Sequence, residues 1–398
     1  MEHKTRIKGN VHYVGVNDRN KHRFEGMWPL PYGVSYNSYL IDDEMVALVD
    51  TVDICYFEVY LRKIKQVIGE RPINYLIINH MEPDHSGSIR LIKQHYPEII
   101  IVGNKQTFGM IEGFYGVTGE QYLVKEGDFL ALGHHKLRFY MTPMVHWPET
   151  MMTFDETDGV LFSGDGFGCF GTVDGGFLDT RINVDKYWGE MVRYYSNIVG
   201  KYGSPVQKAL QKLGGLPISA ICSTHGPVWT ENIAKVIGIY DRLSRYDADE
   251  GVVIAYGSMY GNTEQMAEAI AEELSAQGVK NIVMHNVTKS HPSYIIADIF
   301  RSKGLIIGSP TYSNQIFPEV EALLSKILLR EVKGRYLGYF GSFTWAGAAV
   351  KRLAEFAEKS KFELVGDPVE MKQAMKDLTY TQCENLARAM ADRLKKDR

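Results

Sequence analysis

Cysteine is scarce: there are four among 398 residues, at positions 55, 169, 222 and 383. None forms a Cys-x-x-Cys pair, which excludes a zinc knuckle, an iron–sulfur cluster of usual spacing and a thioredoxin motif. Isolated thiols of this kind read as small buried hydrophobes in a reducing compartment. A basic excess is missing too. Lys plus Arg number 44 against 48 Asp plus Glu, a formal net charge of -4. That lacks the electrostatic footprint of a nucleic-acid binder, and no nucleic-acid partner is expected. No apolar run approaches the roughly 18–20 residues that cross a bilayer. The opening Met1–Lys8 carries charge with no apolar stretch behind it, so no signal peptide and no membrane partner are expected. The expected location is the cytoplasm.

Hydrophobic residues make up 45% of the chain and charged residues 23%, an ordinary globular balance with material for more than one core. Near residues 240–252 the text turns polar and charged and ends in Gly251, directly before the apolar run Val252–Tyr256. The expected domains are therefore 1–249 and 250–398. After 252, strand-like runs (Val252–Tyr256, Asn281–His285, Gly304–Gly308, Tyr336–Gly341, Phe362–Val365) alternate with helical stretches such as Glu264–Leu274 and Phe317–Leu329. That alternation predicts an α/β fold with a doubly wound parallel sheet. The first half instead pairs strand-like segments, among them Val11–Val16, Ser38–Ile41, Met45–Asp50 and Tyr75–Ile78. Helical stretches at Phe57–Ile68 and Gly87–His95 intervene, which predicts mixed, partly antiparallel architecture.

Ten of the twelve histidines precede residue 250. The sharpest cluster is His80-Met81-Glu82-Pro83-Asp84-His85, four potential metal ligands in six positions at the end of an apolar strand. Crowded donors of this kind repel or stay unsatisfied unless a cation joins them. His146, Asp165 and His225 follow at comparable strand ends. Any one of them alone reads as a polar loop residue; the set reads as a metal site. The spacing resembles the metallo-β-lactamase fold, an αββα sandwich whose members carry His-x-His-x-Asp-His and bind zinc for hydrolysis. Here Glu82 replaces the second histidine. A carboxylate hardens the site and favours iron over a zinc-adapted set. Seven donors exceed one tetrahedral zinc and suit two metals sharing a carboxylate, so a centre of two Fe is expected.

The second half opens its first helix with Gly257-Ser258-Met259-Tyr260-Gly261-Asn262-Thr263. Such a turn aims backbone N–H groups, the positive helix end and the Ser258 and Thr263 hydroxyls at one spot, which makes a phosphate cradle. It lacks a P-loop lysine and a dinucleotide glycine pattern, so the single phosphate of FMN fits best. Two later strand-end loops offer small residues and hydroxyls beside an aromatic, suited to a flat ring. One holds Pro310, Thr311, Tyr312 and Asn314; the other holds Ser342, Phe343, Thr344, Trp345, Gly347 and Ala348. The three loops together match the flavodoxin pattern. Gly166-Phe167-Gly168-Cys169-Phe170-Gly171 spells a dinucleotide motif, but no helix-forming stretch follows it, so a glycine-rich loop beside Asp165 is expected. His134-His135 reads as an exposed turn.

A metallo-β-lactamase-like half with Glu82 in its ligand run, fused to a flavodoxin half, resembles the A-type flavodiiron proteins over nearly the whole chain. The resemblance implies one iron on His80, Glu82 and His146, a second on Asp84, His85 and His225, and Asp165 bridging them. It implies reduction of nitric oxide to nitrous oxide, of dioxygen to water, or both. It also implies a head-to-tail homodimer, or a dimer of dimers, that pairs one subunit's FMN with the other's iron. With no rubredoxin-like cysteine pair and no nicotinamide site, electrons are expected from an external donor such as rubredoxin or a reduced deazaflavin. Tyr195 is a candidate hydrogen-bond donor behind the ligands, packing being its plainer reading. Two readings of other classes compete: a zinc hydrolase with an accessory flavodoxin domain, and a flavodoxin-type carrier with a structural docking half. Glu82 argues against the first and the seven donors against the second.

Overall fold

The computed structural model describes residues 4–397. The chain divides into two compact units, one ending at Asp241 and the other starting at Arg242.

The first unit is built on a seven-stranded and a five-stranded sheet. The larger runs in the order Arg6–Lys8, Val11–Tyr13, Tyr39–Ile41, Ala47–Val49, Tyr75–Ile77, Ile100–Gly103, Gln121–Leu123, antiparallel at first and parallel from Ala47–Val49 onward. The smaller runs Phe129–Ala131, Lys136–Met141, Met151–Asp155, Val160–Gly164, Ala220–Ser223, with only its last pair parallel. Val11, Ile41, Val49, Ile77 and Val102 from one sheet share a core with Leu137, Phe139, Met151 and Phe162 from the other. This face-to-face burial makes the pair a sandwich. Helices cover the outside. Phe57–Ile68 buries Phe57, Tyr60, Leu61, Ile64 and Ile68, an apolar stripe at helical spacing with Glu58 in its first turn and Lys65 in its last.

The expected strand Val11–Val16 is split in the structure. Val11–Tyr13 belongs to the large sheet, and Val16–Asp18 pairs instead with Val34–Tyr36. Gly15 is the crossing point, where a Cβ would lie 2.6 Å from the Tyr36 carbonyl oxygen. The expected helix Gly87–His95 starts later, at Ile89, behind a separate short helix Pro83–Ser86. His135 also departs from the exposed-turn reading. Asp43 accepts hydrogen bonds from the His134 and His135 amides at 3.2 and 2.6 Å, and the His135 ring turns inward onto Asp155 Oδ2 at 2.9 Å.

The second unit is a doubly wound α/β sheet. Its parallel strands run Ile282–Asn286, Asp249–Tyr256, Ser302–Tyr312, Tyr336–Phe343, Glu363–Leu364. Val252–Ala255 are fully buried, as expected of a central strand covered on both faces. The expected strand Phe362–Val365 is shorter in the structure and resumes at Val369–Lys372, which pairs with the far end of Tyr336–Phe343. Gly366, at φ 70°, supplies the intervening turn. Among the described residues no helix is long and apolar enough to cross a membrane.

Arg335 anchors this unit's entry segment. Its buried guanidinium donates to the carbonyls of Ile299 and Phe300 at 2.8 and 2.9 Å, of Tyr246 at 2.8 Å and of Lys333 at 2.7 Å. Burial pulls its pKa down to about 10. Arg335→Met removes the charge and takes the guanidinium away from these carbonyls. At about 1–3 kcal/mol for each buried group left unsatisfied, a loss of about 3–5 kcal/mol in urea denaturation is expected.

Candidate functional site

Every histidine and carboxylate of the expected ligand set lies at one end of the sandwich. The strand Tyr75–Ile77 delivers His80 and the short helix Pro83–Ser86, with Pro83 at the helix start. Asp50, itself buried, accepts from the Asn79 amide at 2.8 Å and pins that strand end. Val160–Gly164 ends directly before Asp165, and Ala220–Ser223 ends two residues before His225. His146 lies in the connection between Lys136–Met141 and Met151–Asp155.

The donors fall into two sets around Asp165. On one side His146 Nε2 stands 2.9 Å from Asp165 Oδ2 and 3.1 Å from Glu82 Oε2, with His80 Nε2 at 3.8 and 3.7 Å from the same oxygens. On the other, His85 Nε2 is 3.2 Å and His225 Nε2 3.6 Å from Asp165 Oδ1. Asp84 completes that set at 3.5 Å from His85 and 3.3 Å from His225. Donors about 2.1 Å from a common cation lie roughly 3.0–3.4 Å apart at octahedral or tetrahedral angles; the closer pairs here meet that spacing, and His80 and His225 stand a few tenths of an ångström outside it. His80, His85, Asp165 and His225 are fully buried. Yet His80 Nε2, both Asp84 carboxylate oxygens, His85 Nε2 and His225 Nε2 have no hydrogen-bond partner among the described residues. Buried donors and acceptors left in this state are costly, and a cation between them is what satisfies them. The residues fit two metals.

Protons stand in for those cations when no metal is bound. Burial disfavours charge on His85 and His146, but the carboxylates of Asp84, Asp165 and Glu82 outweigh it and push both up to about 9. Burial would raise Asp165, and the facing imidazoles reverse that and hold it well below the usual carboxylate range. A histidine raised on folding contributes stability that is complete below its unfolded value of about 6.5 and is lost as pH climbs through the folded one. The thermal midpoint of metal-free protein is therefore expected to fall from about pH 6.5 to about pH 9. Metal loading displaces those protons, and loaded protein should show no such fall.

The Gly166–Gly171 segment forms a turn rather than a nucleotide loop, with Gly168 packed against His225. Tyr195 packs on Tyr240, with ring centroids 5.1 Å apart. It is Tyr194 that lies beside His225, at 5.7 Å between ring centroids, and its hydroxyl has no partner among the described residues. Helical periodicity could not choose between the two tyrosines, because a π-helical turn over Tyr195–Val199 interrupts the register. Two buried acids were also missed. Asp50 sits at the end of the apolar run Met45–Val49, and Glu149 lies two residues before the buried strand Met151–Asp155. An acid in such a place is the signal that reading the ligands alone passes over. A cavity of about 610 Å3, lined among others by Lys21, Phe24, Ile54 and Phe114, reaches Glu82 and Asp84 from outside.

In the second unit the three expected loops sit side by side at the carboxyl ends of adjacent strands, where open α/β sheets bind ligands. A cavity of about 360 Å3 is lined by Met259, Tyr260, Thr311, Tyr312, Ser313, Asn314, Thr344, Trp345 and Ala346. Ser313 and Ala346 are additions to the expected residues. Tyr260 and Trp345 are 89% and 81% exposed. Large aromatics bared at a cavity rim suit a flat ring stacked on them. The helix Asn262–Ala276 begins after Gly261 with no side-chain cap, which leaves its first amides for an anion. Ser258 Oγ accepts from the Gly261 amide at 3.1 Å. Other expected residues hold the loops together. Thr263 bonds Ser342 at 2.9 Å, and Thr311 Oγ1 accepts from the Ala348 amide at 3.0 Å. Pro310 and Phe343 lie within strand ends, and Gly347 packs against Glu370. The cradle fits FMN.

Two family descriptions match the chain: an ODP family beta lactamase over residues 34–226 and a flavodoxin over residues 254–386. An anaerobic nitric oxide reductase flavorubredoxin of Vibrio vulnificus is 33% identical over 363 residues, covering 90% of this chain and 73% of that protein. Among solved structures, rubredoxin oxygen:oxidoreductase from the anaerobe Desulfovibrio gigas superposes with a TM-score of 0.94 at 31% identity, covering 98% of each chain. The flavodiiron protein of Giardia intestinalis gives a TM-score of 0.91 at 27% identity, covering 98% of this chain and 97% of that one. With a metallo-β-lactamase-like unit, a flavodoxin unit and relatives of this identity and coverage, the chain belongs to the flavodiiron proteins.

Proposed function

We propose that this protein is a flavodiiron reductase that passes electrons from an external donor through FMN to a pair of irons and reduces nitric oxide to nitrous oxide, dioxygen to water, or both. The convergence of unpartnered buried donors on both oxygens of Asp165 carries this reading. His80, Glu82 and His146 would hold one iron, and Asp84, His85 and His225 the other, with Asp165 between them. This metal centre belongs to residues 1–249 and the FMN site to residues 250–398. Bound FMN would supply a carrier that takes electrons singly or in pairs, and the irons a centre that delivers two electrons together to a small diatomic molecule.

The chain's own residues prepare that chemistry. Phe24 packs edge to face on His225, Tyr194 lies beside the same imidazole, and Phe170 packs on both Phe24 and Tyr194. The cavity reaching Glu82 and Asp84 gives a small molecule its entry. Lys21 places a cation at its mouth, donating to the Tyr36 hydroxyl at 2.9 Å. A relative's name makes rubredoxin its electron donor, and a rubredoxin or a reduced deazaflavin is the donor class assigned here. The assembly assigned here is the family's head-to-tail homodimer in the cytoplasm, with one subunit's FMN serving the other's irons.

The test is iron, zinc and flavin content per chain in anaerobically purified protein, followed by parallel consumption assays with nitric oxide and dioxygen. Two irons and one FMN are expected. Zinc in place of iron, in protein never exposed to added zinc, would overturn the reductase in favour of a hydrolase.

A further inference from the structure

The histidines of the centre are backed unequally. His80 Nδ1 lies 2.7 Å from Glu149 Oε1, and that same oxygen accepts the Met81 amide at 2.8 Å. Glu149 is fully buried, and its second oxygen has no partner among the described residues. Its backbone is fixed as well. The Glu149 carbonyl accepts from Asn104 Nδ2 at 2.6 Å, and Asn104 also caps the helix Lys105–Tyr115. His225 is supported differently, through Nδ1 at 2.8 Å from the neutral Ser35 carbonyl, and His85 Nδ1 has no partner among the described residues.

An ionised carboxylate can only accept, so when His80 is neutral, as a metal ligand must be, its proton sits on Nδ1 and the lone pair of Nε2 faces the cluster. The charge is also uneven. Around the His80 set stand Glu82, Glu149 and one oxygen of Asp165; around the His85 set stand Asp84 and the other oxygen of Asp165, while the buried Asp50 acts on both His85 and His80. What sets His80 apart from His85 and His225 is a carboxylate hydrogen-bonded directly behind the ligand. A carboxylate there raises the basicity of the imidazole and with it the affinity for a cation.

We propose that Glu149 is a positioning residue that fixes His80 in the tautomer protonated on Nδ1 and makes the His80–Glu82–His146 position the tighter of the two iron positions. The inference rests on the two-iron reading above and adds to it an order of loading and the residue that sets it.

The test is an anaerobic titration of metal-free, flavin-loaded protein with ferrous ion, read by equilibrium dialysis and Mössbauer spectroscopy. Wild-type protein is expected to take up two irons in two resolved steps. Glu149→Gln keeps an oxygen to accept both N–H groups but removes the charge. Its tighter step should weaken about 10- to 100-fold, with the looser step and flavin content unchanged. Glu149→Asp keeps the charge and should recover part of the loss. A Glu149→Gln titration that overlays the wild type overturns the proposal, and so does equal weakening of both steps. Two irons bound by wild-type protein in a single step of equal affinity overturns it without touching the reading beneath. Wild-type protein that binds no iron overturns the two-iron reading itself. Should Glu149→Gln fail to fold, nitrogen NMR of histidine-labelled, zinc-loaded wild-type protein decides. A strongly hydrogen-bonded Nδ1 proton on His80 is expected, and its absence overturns the assignment.

Discussion

Asp165→Asn is expected to empty both metal positions and abolish reduction of nitric oxide and dioxygen while leaving the flavin in place. Each oxygen of Asp165 serves a different set, Oδ2 facing His146 and His80 and Oδ1 facing His85 and His225. Oδ1 also accepts from the Thr224 hydroxyl. Asparagine can present an oxygen to only one side. Whichever way the amide turns, its NH2 points at donors that need a cation, and the shared negative charge is gone. Removing a partner merely behind a metal ligand costs about 10- to 100-fold in affinity or activity, so losing a shared ligand should cost at least about 100-fold. Metal analysis and nitric oxide consumption on the same preparation check this, with flavin absorbance confirming that the second unit is intact. Two irons retained at wild-type turnover would rule out the bridging role.

Ser258→Asp should act in opposite directions on stability and on flavin binding. Ser258 accepts the Gly261 amide just before the uncapped helix Asn262–Ala276. An aspartate there can accept the same bond, and its charge complements the helix end by about 0.3–1 kcal/mol, so flavin-free protein should be slightly more stable. A bound phosphate would then share the cradle with a carboxylate. Two like charges about 4 Å apart at an effective dielectric constant of about 20 repel by about 4 kcal/mol, on the order of a thousandfold in affinity. Fluorescence titration with FMN alongside thermal denaturation separates the two effects. Unchanged FMN affinity would place the phosphate elsewhere.

Much of the proposed metal centre can be assembled from the sequence because its candidate ligands are concentrated. His80, Glu82, Asp84 and His85 lie within one strand-end loop, and a density of donors that no ordinary loop tolerates is visible in the text itself. The proposed flavin cradle can be read for a similar reason, since Ser258 to Thr263 is a local turn opening a helix. Residues that act through others were not legible. Glu149 looks like one more acid after a proline until His80, sixty-nine positions earlier in the chain, is seen against it. Tyr195 and Tyr194 differ by one position, and only the path of the backbone through the π-helical turn tells which reaches His225. The split at Gly15 was hidden too, because an apolar run does not reveal where the chain changes sheets.

The sequence by itself determined the two-unit α/β organisation, the donor types and the preference for iron that Glu82 brings, because strand and helix periodicity, turn chemistry and ligand hardness are local properties. Only the tertiary structure decided that the two oxygens of Asp165 face two separate donor sets and that one of those sets has a buried carboxylate behind it. Those facts depend on residues from His80 to His225, both of which the order of strands in two packed sheets brings within 4 Å of Asp165. Pairing across that distance in the chain follows from sheet topology and core packing, and no short stretch of residues encodes it.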